Sequence, residues 1–119
     1  MADGDLAPLT PAAFQVLLAL ARGDAHGYGI MGFVHDVTRG SARLSPGTLY
    51  RTLGKLAEDG LVEEAPGTHE DHPHDSRRRY YRLTQTGRST AAHEAARLDR
   101  LVTEAGRAGL LDLHEVSPA

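Results

Sequence analysis

The sequence predicts a mainly α-helical fold with a two-stranded β wing, arranged as a winged helix-turn-helix and followed by a C-terminal dimerisation helix. Two changes in hydrophobic periodicity lead to this prediction. Three segments with the 3.6-residue period of a helix precede two short segments with the two-residue period of a strand, and a long segment with a heptad-like repeat comes last. That element order is typical of a winged helix-turn-helix followed by a long C-terminal helix. The 119 residues suffice for one domain of ordinary size.

The first helix is predicted to begin at Thr10, because threonine is a good N-cap and Pro11 suits a first helical position, where an N–H has no partner. Gly23 ends this helix. Its core stripe consists of Phe14, Leu17, Leu18 and Ala21. Residues 1–9 are polar or irregular, and we interpret them as a flexible N-terminal arm.

A second helix is predicted over residues 27–38, with Ile30, Met31, Val34 and Val37 as its apolar residues. It contains three glycines, each of which costs about 1 kcal/mol relative to alanine in a helix interior. We expect these glycines, which are Gly27, Gly29 and Gly32, to allow the close approach of a neighbouring helix or of a ligand backbone.

The third helix is predicted to begin at the N-cap Ser45 and to end at Gly60. Its apolar face, expected to pack on the core, consists of Leu49, Leu53, Leu56 and Ala57. The opposite face offers hydroxyl groups and cations, from Thr48, Arg51, Thr52 and Lys55. A helix of this kind presents its N-terminal half to the base edges of a DNA major groove.

Two strands are predicted over residues 61–65 and 77–83, joined by a polar segment that contains three histidines. Together they form a two-stranded ribbon, the wing. The return strand opens with Arg77, Arg78 and Arg79, which suit contacts with phosphate or a narrow minor groove. Because Glu63 and Glu64 lie across the ribbon, we expect that not all three arginines are free for DNA.

The last helix is predicted to run from the cap Thr84 to about residue 108. A helix this long cannot bury its whole apolar face inside so small a domain, so a partner chain is the simplest cover; folding back on its own core is the alternative. The dimerisation seam recurs at heptad-like spacing and consists of Ala91, Ala95, Leu98, Val102 and Ala105. We therefore divide the chain into an arm (1–9), a DNA-binding domain (10–83) and a dimerisation helix with its tail (84–119).

Composition excludes several classes of protein. The absence of cysteine excludes a disulfide scaffold and a thiolate metal site, and no apolar run approaches the roughly 20 residues of a membrane span. A cytoplasmic location without membrane contact is expected. The net charge of −3 argues mildly against nucleic acid, but binding depends on the local field. Nine of the 13 basic residues lie between positions 39 and 88: Arg39, Arg43, Arg51, Lys55, Arg77, Arg78, Arg79, Arg82 and Arg88.

Two motifs invite other interpretations. Residues 27–32 match GxGxxG, but a dinucleotide site needs a preceding strand and a βαβ unit, and here a helix is expected to precede the glycines. We therefore predict neither an enzyme nor a cofactor. The wing tip places His69, His72 and His74 among acidic residues, a set that can bind zinc or nickel, although a solvated tip is the preferred interpretation.

Several segments resemble the PadR family of bacterial transcriptional regulators. They are LLAL (17–20), HGYGI (26–30), LSPGTLYRTL (44–53), LAEDGLV (56–62) and RYYRLTQTG (79–87). The resemblance implies a homodimeric winged-helix repressor that binds a pseudo-palindromic operator, reads DNA with the third helix and contacts the backbone near Tyr28. Many relatives release DNA when a small aromatic or hydrophobic molecule binds at the dimer cavity. The histidine-rich tip is not part of the shared pattern.

We therefore predict a dimeric, sequence-specific DNA-binding regulator, a repressor in the sense of the family, with double-stranded operator DNA and a second copy as partners and a small molecule as possible effector. The predicted DNA-binding residues are Tyr28, Ser45, Thr48, Tyr50, Arg51, Lys55, Arg77, Arg78 and Arg79. Two alternatives stay open. One is a metal-responsive regulator that senses through the wing tip, and the other is a winged-helix protein-interaction module without DNA binding, which the acidic net charge favours.

Overall fold

The computed structural model describes residues 8–65 and 79–112, which form four helices and three strands. In chain order these are α1 (Pro11–Ala21), β1 (Ala25–His26), α2 (Gly27–Val37), α3 (Pro46–Glu58), β2 (Val62–Ala65), β3 (Tyr80–Leu83) and α4 (Gln85–Arg107). The fold is mainly helical, and all four predicted helices are present within one or two residues of their expected ends.

Side-chain caps start every helix of the described chain. Thr10, Ser45 and Thr84 each accept a hydrogen bond from the backbone N–H three residues later, at 3.1, 3.1 and 2.9 Å. These caps are the ones that the sequence predicts. The cap of α2 was not expected: Nδ1 of His26 accepts a hydrogen bond from the N–H of Gly29 at 3.0 Å.

The sheet is antiparallel and has three strands in the order β1-β3-β2, so the prediction of a two-stranded sheet was incomplete. β1 pairs Ala25 with Tyr81 and His26 with Tyr80. A strand of two residues is too short to show a two-residue period in the sequence. Its presence also means that a strand does precede Gly27, contrary to our expectation, but its antiparallel pairing still excludes a βαβ dinucleotide site.

The core lies between α1, α2, α3 and the sheet. Its fully buried large side chains are Val16, Leu17, Leu20, Ile30, Val34 and Leu49. The predicted core positions Leu18 and Ala57 are exposed, as is Val37 of the apolar set in α2, and Phe14 is half-buried. In α1 the reason is that Phe14, Leu18 and Ala21 face α4 across an apolar surface cavity rather than the centre of the core.

The beginning of α4 is fixed against the turn that follows α3. The hydroxyl of Thr84 donates to the carbonyl oxygen of Gly60 at 2.6 Å, and its N–H donates to the carbonyl of Leu61 at 3.1 Å. A Cβ at Gly87 would overlap that same Leu61 carbonyl. The orientation of α4 relative to the wing strands therefore depends on a glycine at position 87.

An ion pair between Glu94 and Arg97 lies within α4, with the Glu94 side chain buried and that of Arg97 partly exposed. Glu94 is buried and accepts two hydrogen bonds from Arg97, at 3.1 and 2.6 Å. The hydrogen bonds from Arg97, together with one from the backbone of Leu9, lower the pKa of the Glu94 carboxyl despite its burial. No helix among the described residues is both long enough and apolar enough to cross a membrane.

Candidate nucleic-acid interface

The outer face of α3 carries a chain of hydrogen-bonding side chains, which we name the recognition surface and define as Ser45, Thr48 and Arg51. The Ser45 hydroxyl donates to Oγ1 of Thr48 at 3.1 Å, and Nη2 of Arg51 donates to the same oxygen at 3.4 Å. The three residues are spaced by three, so they lie on one side of the helix. They are exposed or half-buried, and Arg51 has no ion-pair partner among the residues that the structure describes.

This arrangement leaves donors free to bind an external acceptor. Oγ1 of Thr48 accepts from both neighbours and donates no hydrogen bond within the described residues, and most of the five N–H donors of the Arg51 guanidinium are unused there. Hydroxyl and guanidinium donors are the groups that contact phosphate oxygens and the acceptor edge of guanine.

Lys55 lies one turn beyond the recognition surface. Its Nζ is 3.3 Å from a carboxylate oxygen of Asp59, and both side chains are exposed. The neighbouring carboxylate partly offsets the positive charge of Lys55. The sequence placed Arg51 and Lys55 on one cationic face. The structure distinguishes them, because Lys55 has a carboxylate partner and Arg51 has none among the described residues.

Tyr50 and Tyr28 lie at the crossing of α3 with the start of α2. The Tyr50 hydroxyl occupies the space where a Cβ at Gly27 would stand, so Gly27 does allow the close approach of a helix, as predicted. Gly29 and Gly32 face only ordinary contact or open space, so no neighbouring helix approaches them closely, and the approach of a ligand backbone stays a prediction. Tyr50 remains 43 % exposed and Tyr28 is 67 % exposed.

His26 is the residue at this crossing that sequence reasoning missed. Besides capping α2, its ring contacts Tyr80 of β3 edge to face at 5.1 Å between centroids, and Tyr28 at 6.4 Å. It therefore links the wing strand to the N-terminus of α2. The spacing of His26 to Gly29 fits an N-cap, but histidine is uncommon in that role and gives little signal.

The base of the wing, which we define as Glu63, Glu64, Arg79 and Arg82, is internally paired. Nε of Arg82 donates to Glu63 at 2.8 Å, and Nη1 of Arg79 lies 3.6 Å from Glu64. The expected partial neutralisation of the ribbon is thus present at Arg79. Burial, and then the negative charge of Glu64, raise the pKa of Tyr81 beside it.

The other predicted wing residues, Arg77, Arg78, His69, His72 and His74, lie outside the described residues. Within the described ranges there is no cluster of three histidine or acidic side chains that could hold a metal ion.

The predicted dimerisation seam follows α4 from the core to solvent. Ala91 packs against the core, Leu98 and Ala105 are half-buried, and Ala95 and Val102 are exposed. Leu101, which the seam did not include, is 55 % exposed. The C-terminal half of α4 thus leaves apolar side chains uncovered within a single chain.

Comparisons with known proteins identify the family of this chain. Residues 16–93 match the model of the transcriptional regulator PadR-like family. The chain is 34 % identical over 91 residues to the transcriptional regulator Rv3488 of Mycobacterium tuberculosis. The aligned residues cover 76 % of this chain and 78 % of that protein.

Solved structures share the fold. A PadR family transcription regulator from Clostridium difficile matches with a TM-score of 0.65 at 19 % identity, over 82 % of this chain and 97 % of that one. ZitR of Lactococcus lactis, a zinc-responsive MarR family member, matches with a TM-score of 0.63 at 21 % identity, over 87 % and 62 %. The family match and the identity to Rv3488 establish that this chain belongs to the PadR-like family of transcriptional regulators.

Proposed function

We propose that this chain is a sequence-specific DNA-binding regulator that acts as a dimeric repressor and leaves its operator when an effector binds. The observation that carries the DNA-binding part is the recognition surface. Its hydroxyl and guanidinium donors lie together on the exposed side of α3, and its arginine has no acidic partner among the described residues. Membership of a family of transcriptional regulators supports the same conclusion.

In this proposal α3 enters the major groove and the other predicted residues hold the protein on the backbone. Thr48, Arg51 and Lys55 face the groove, while Ser45 and Tyr28 contact phosphates. Tyr50 contacts DNA through its exposed part while its hydroxyl packs over α2. Arg77, Arg78 and Arg79 complete the interface from the wing.

A second copy covers α4. The exposed Leu101 and Val102 and the partly covered Leu98 support a helix-to-helix interface over the C-terminal half of α4. We keep the division into a DNA-binding domain (10–83) and a dimerisation segment (84–119). The apolar cavity between α1 and α4, which a partner helix would enclose further, is where we place a small hydrophobic effector.

Selection from a pool of randomised duplexes tests the DNA-binding part. A dimeric reader should enrich an inverted repeat whose half-sites are about 10 base pairs apart, one helical turn. Failure to enrich any sequence, together with a flat dependence of affinity on salt, would favour the interaction module instead.

Sedimentation tests the dimer. The wild type should sediment as a dimer at micromolar concentration, and Leu98→Glu with Val102→Glu should shift it to monomer because charges would enter an apolar seam. If the wild type sediments as a monomer, the proposed dimerisation through α4 is wrong. Glu104→Gln, on a solvent-facing position of the same helix, is the matched control.

The zinc response named for ZitR belongs to that protein, and at 21 % identity the likeness shows the fold alone. No contact among the described residues favours a metal-responsive regulator here. Titrating zinc into the wild type and into a variant without His69, His72 and His74 checks that alternative, because equal affinity of the two proteins would exclude a wing-tip site.

A further inference from the structure

The turn between α2 and α3 carries exposed cations that the proposed interface does not use. Within the described residues, the ion-paired cations are Lys55, Arg79, Arg82, Arg97 and Arg107. Arg39 and Arg43 form no ion pair there, and both are exposed. They share this property with Arg51 on the recognition surface, and all three lie within 13 positions along the chain.

The Thr38 side chain holds this turn in one shape. Its hydroxyl donates to the carbonyl of Val34 at 2.7 Å and accepts from the N–H of Ala42 at 3.2 Å. The N–H and hydroxyl of Ser41 both bind the Thr38 carbonyl, at 3.1 and 2.8 Å. Three of these hydrogen bonds close residues 38–42 and the fourth ties Thr38 to α2, so the side chains of the turn leave from a fixed backbone.

Arg39 has an unfavourable backbone conformation. Its φ is +54°, which makes it the one non-glycine residue with positive φ among those described. Glycine or asparagine adopts this region at lower cost than arginine. Gly40 follows at φ +78°, so two consecutive left-handed residues turn the chain sharply. An arginine at a position that favours glycine points to a use for its charge rather than to a requirement of folding.

Arg43 lies two residues before the cap of α3. Leu44, between Arg43 and Ser45, packs against the core and fixes the direction from which the chain enters the helix. A helix whose N-terminal half lies in a major groove is entered by a segment that passes the phosphate backbone at the groove edge. Arg43 supplies that segment with a cation that has no ion pair in the described chain, and guanidinium groups bind phosphate in a bidentate manner.

We infer that Arg39 and Arg43 are phosphate-contacting residues, which extend the interface from the recognition surface across the α2–α3 turn. This inference rests on the proposed DNA binding. The turn is a rigid support, and the arginines position α3 in the groove without reading sequence.

Fluorescence anisotropy with a 24-base-pair duplex of random sequence tests the inference, because binding to phosphate does not depend on sequence. Arg43→Gln and Arg39→Gly should each weaken binding about 3–10-fold at 150 mM NaCl. Each should also reduce the slope of log K against log salt by about 0.9, the value for one phosphate that is no longer neutralised. Arg39→Lys should keep the slope of the wild type.

Thermal unfolding distinguishes a loss of DNA affinity caused by the missing charge from one caused by a destabilised fold. Arg39→Gly relieves the positive φ, so we expect its Tm to rise by about 2–5 °C while its DNA affinity falls. These opposite signs exclude misfolding as the cause of weaker binding. Arg100→Gln, which removes an exposed cation on α4, is the matched control and should leave the slope unchanged.

A slope equal to that of the wild type for Arg43→Gln or Arg39→Gly overturns the assignment of that arginine. An equally weakened Arg100→Gln overturns it as well, because net charge alone would then explain the effect. Arg51→Ala distinguishes the two proposals: if it weakens binding while the turn variants do not, only this inference fails, and if none of the three weakens binding, the proposed function fails.

Discussion

The recognition surface and the base of the wing contain the same kind of cation in opposite electrostatic settings. Arg51 donates to a neutral threonine hydroxyl and has no carboxylate partner among the described residues. Arg82 donates to Glu63 at 2.8 Å, and Arg79 lies beside Glu64. The sequence shows arginines in both places, but only the three-dimensional pairing shows which of them keeps its full charge for an external anion.

This difference assigns distinct tasks to the two regions. A carboxylate partner offsets the charge of a guanidinium and repels a nearby phosphate, although free N–H donors remain. Arg51 has only a bond of 3.4 Å to a neutral hydroxyl, so its charge is not offset in this way. The ion pairs at the base of the wing therefore stabilise the ribbon and reduce the charge that Arg79 presents to DNA, whereas the recognition surface presents an unpaired cation. A paired base also explains how a chain of net charge −3 can present a locally cationic face.

The largest expected effect separates the two surfaces directly. Arg51→Ala should weaken binding to a selected operator about 10–100-fold, because it removes a donor from the groove-facing helix. Arg82→Ala should change the affinity less than about 3-fold, since Arg82 is occupied by Glu63. Titration by fluorescence anisotropy measures both. Equal effects of the two substitutions would show that pairing does not decide which arginine is used.

The second prediction concerns the support of the recognition surface. Gly27→Ala should destabilise folding by about 1–3 kcal/mol, because the new Cβ would meet the hydroxyl of Tyr50 on α3. Gly32→Ala, whose Cβ would meet only open space on the same helix, should instead stabilise it by about 0.5–1 kcal/mol. Urea unfolding compares the two. A destabilised Gly32→Ala, or a neutral Gly27→Ala, would contradict the packing of α2 on α3.

The third prediction removes the carboxylate partners at the base of the wing, so that its arginines become unpaired like Arg51. Glu63→Gln with Glu64→Gln should free Arg82 and Arg79, and thereby raise the affinity for a random-sequence duplex about 2–5-fold at low salt. The gain should disappear at high salt, where exposed charges are screened. An unchanged affinity at low salt would mean that the wing base does not approach DNA at all.

The smallest effect lies on α4, away from both surfaces. The lowered pKa of Glu94 means that its ion pair contributes stability above the carboxyl pKa of the unfolded chain, about 4.3, and that this contribution is lost as pH falls through the folded pKa. Unfolding free energies measured between pH 3 and pH 7 should therefore fall less steeply in acid for Glu94→Gln. Parallel curves for variant and wild type would refute the role of this pair.

The sequence predicted the four helices because most of them begin with a strong local signal, such as Thr10, Ser45 or Thr84 as N-cap. It did not predict β1, since two residues pair with β3 only because α2 and the wing are brought together. It also did not predict that Leu18 is exposed. Leu18 lines the cavity between α1 and α4, and the periodicity within α1 does not show where α4 lies.

The candidate site was predictable in residue type but not in charge pairing. The spacing predicted Thr48 and Arg51 on one face of α3, and their hydrogen bond agrees with this, but it did not predict that the cap Ser45 would join them. Which cations are neutralised depends on cross-strand register, for example Glu63 opposite Arg82, and on helix spacing, as for Lys55 and Asp59. The left-handed conformation of Arg39 had no signal beyond the glycine that follows it.

Amide hydrogen exchange with and without a selected operator duplex tests the central claim most directly. We predict slower exchange in the first turns of α2 and α3 when DNA is bound, and no change in residues 98–107 of α4. Unchanged exchange throughout α3, with protection confined to other elements, would contradict the assignment of α3 as the DNA-reading helix.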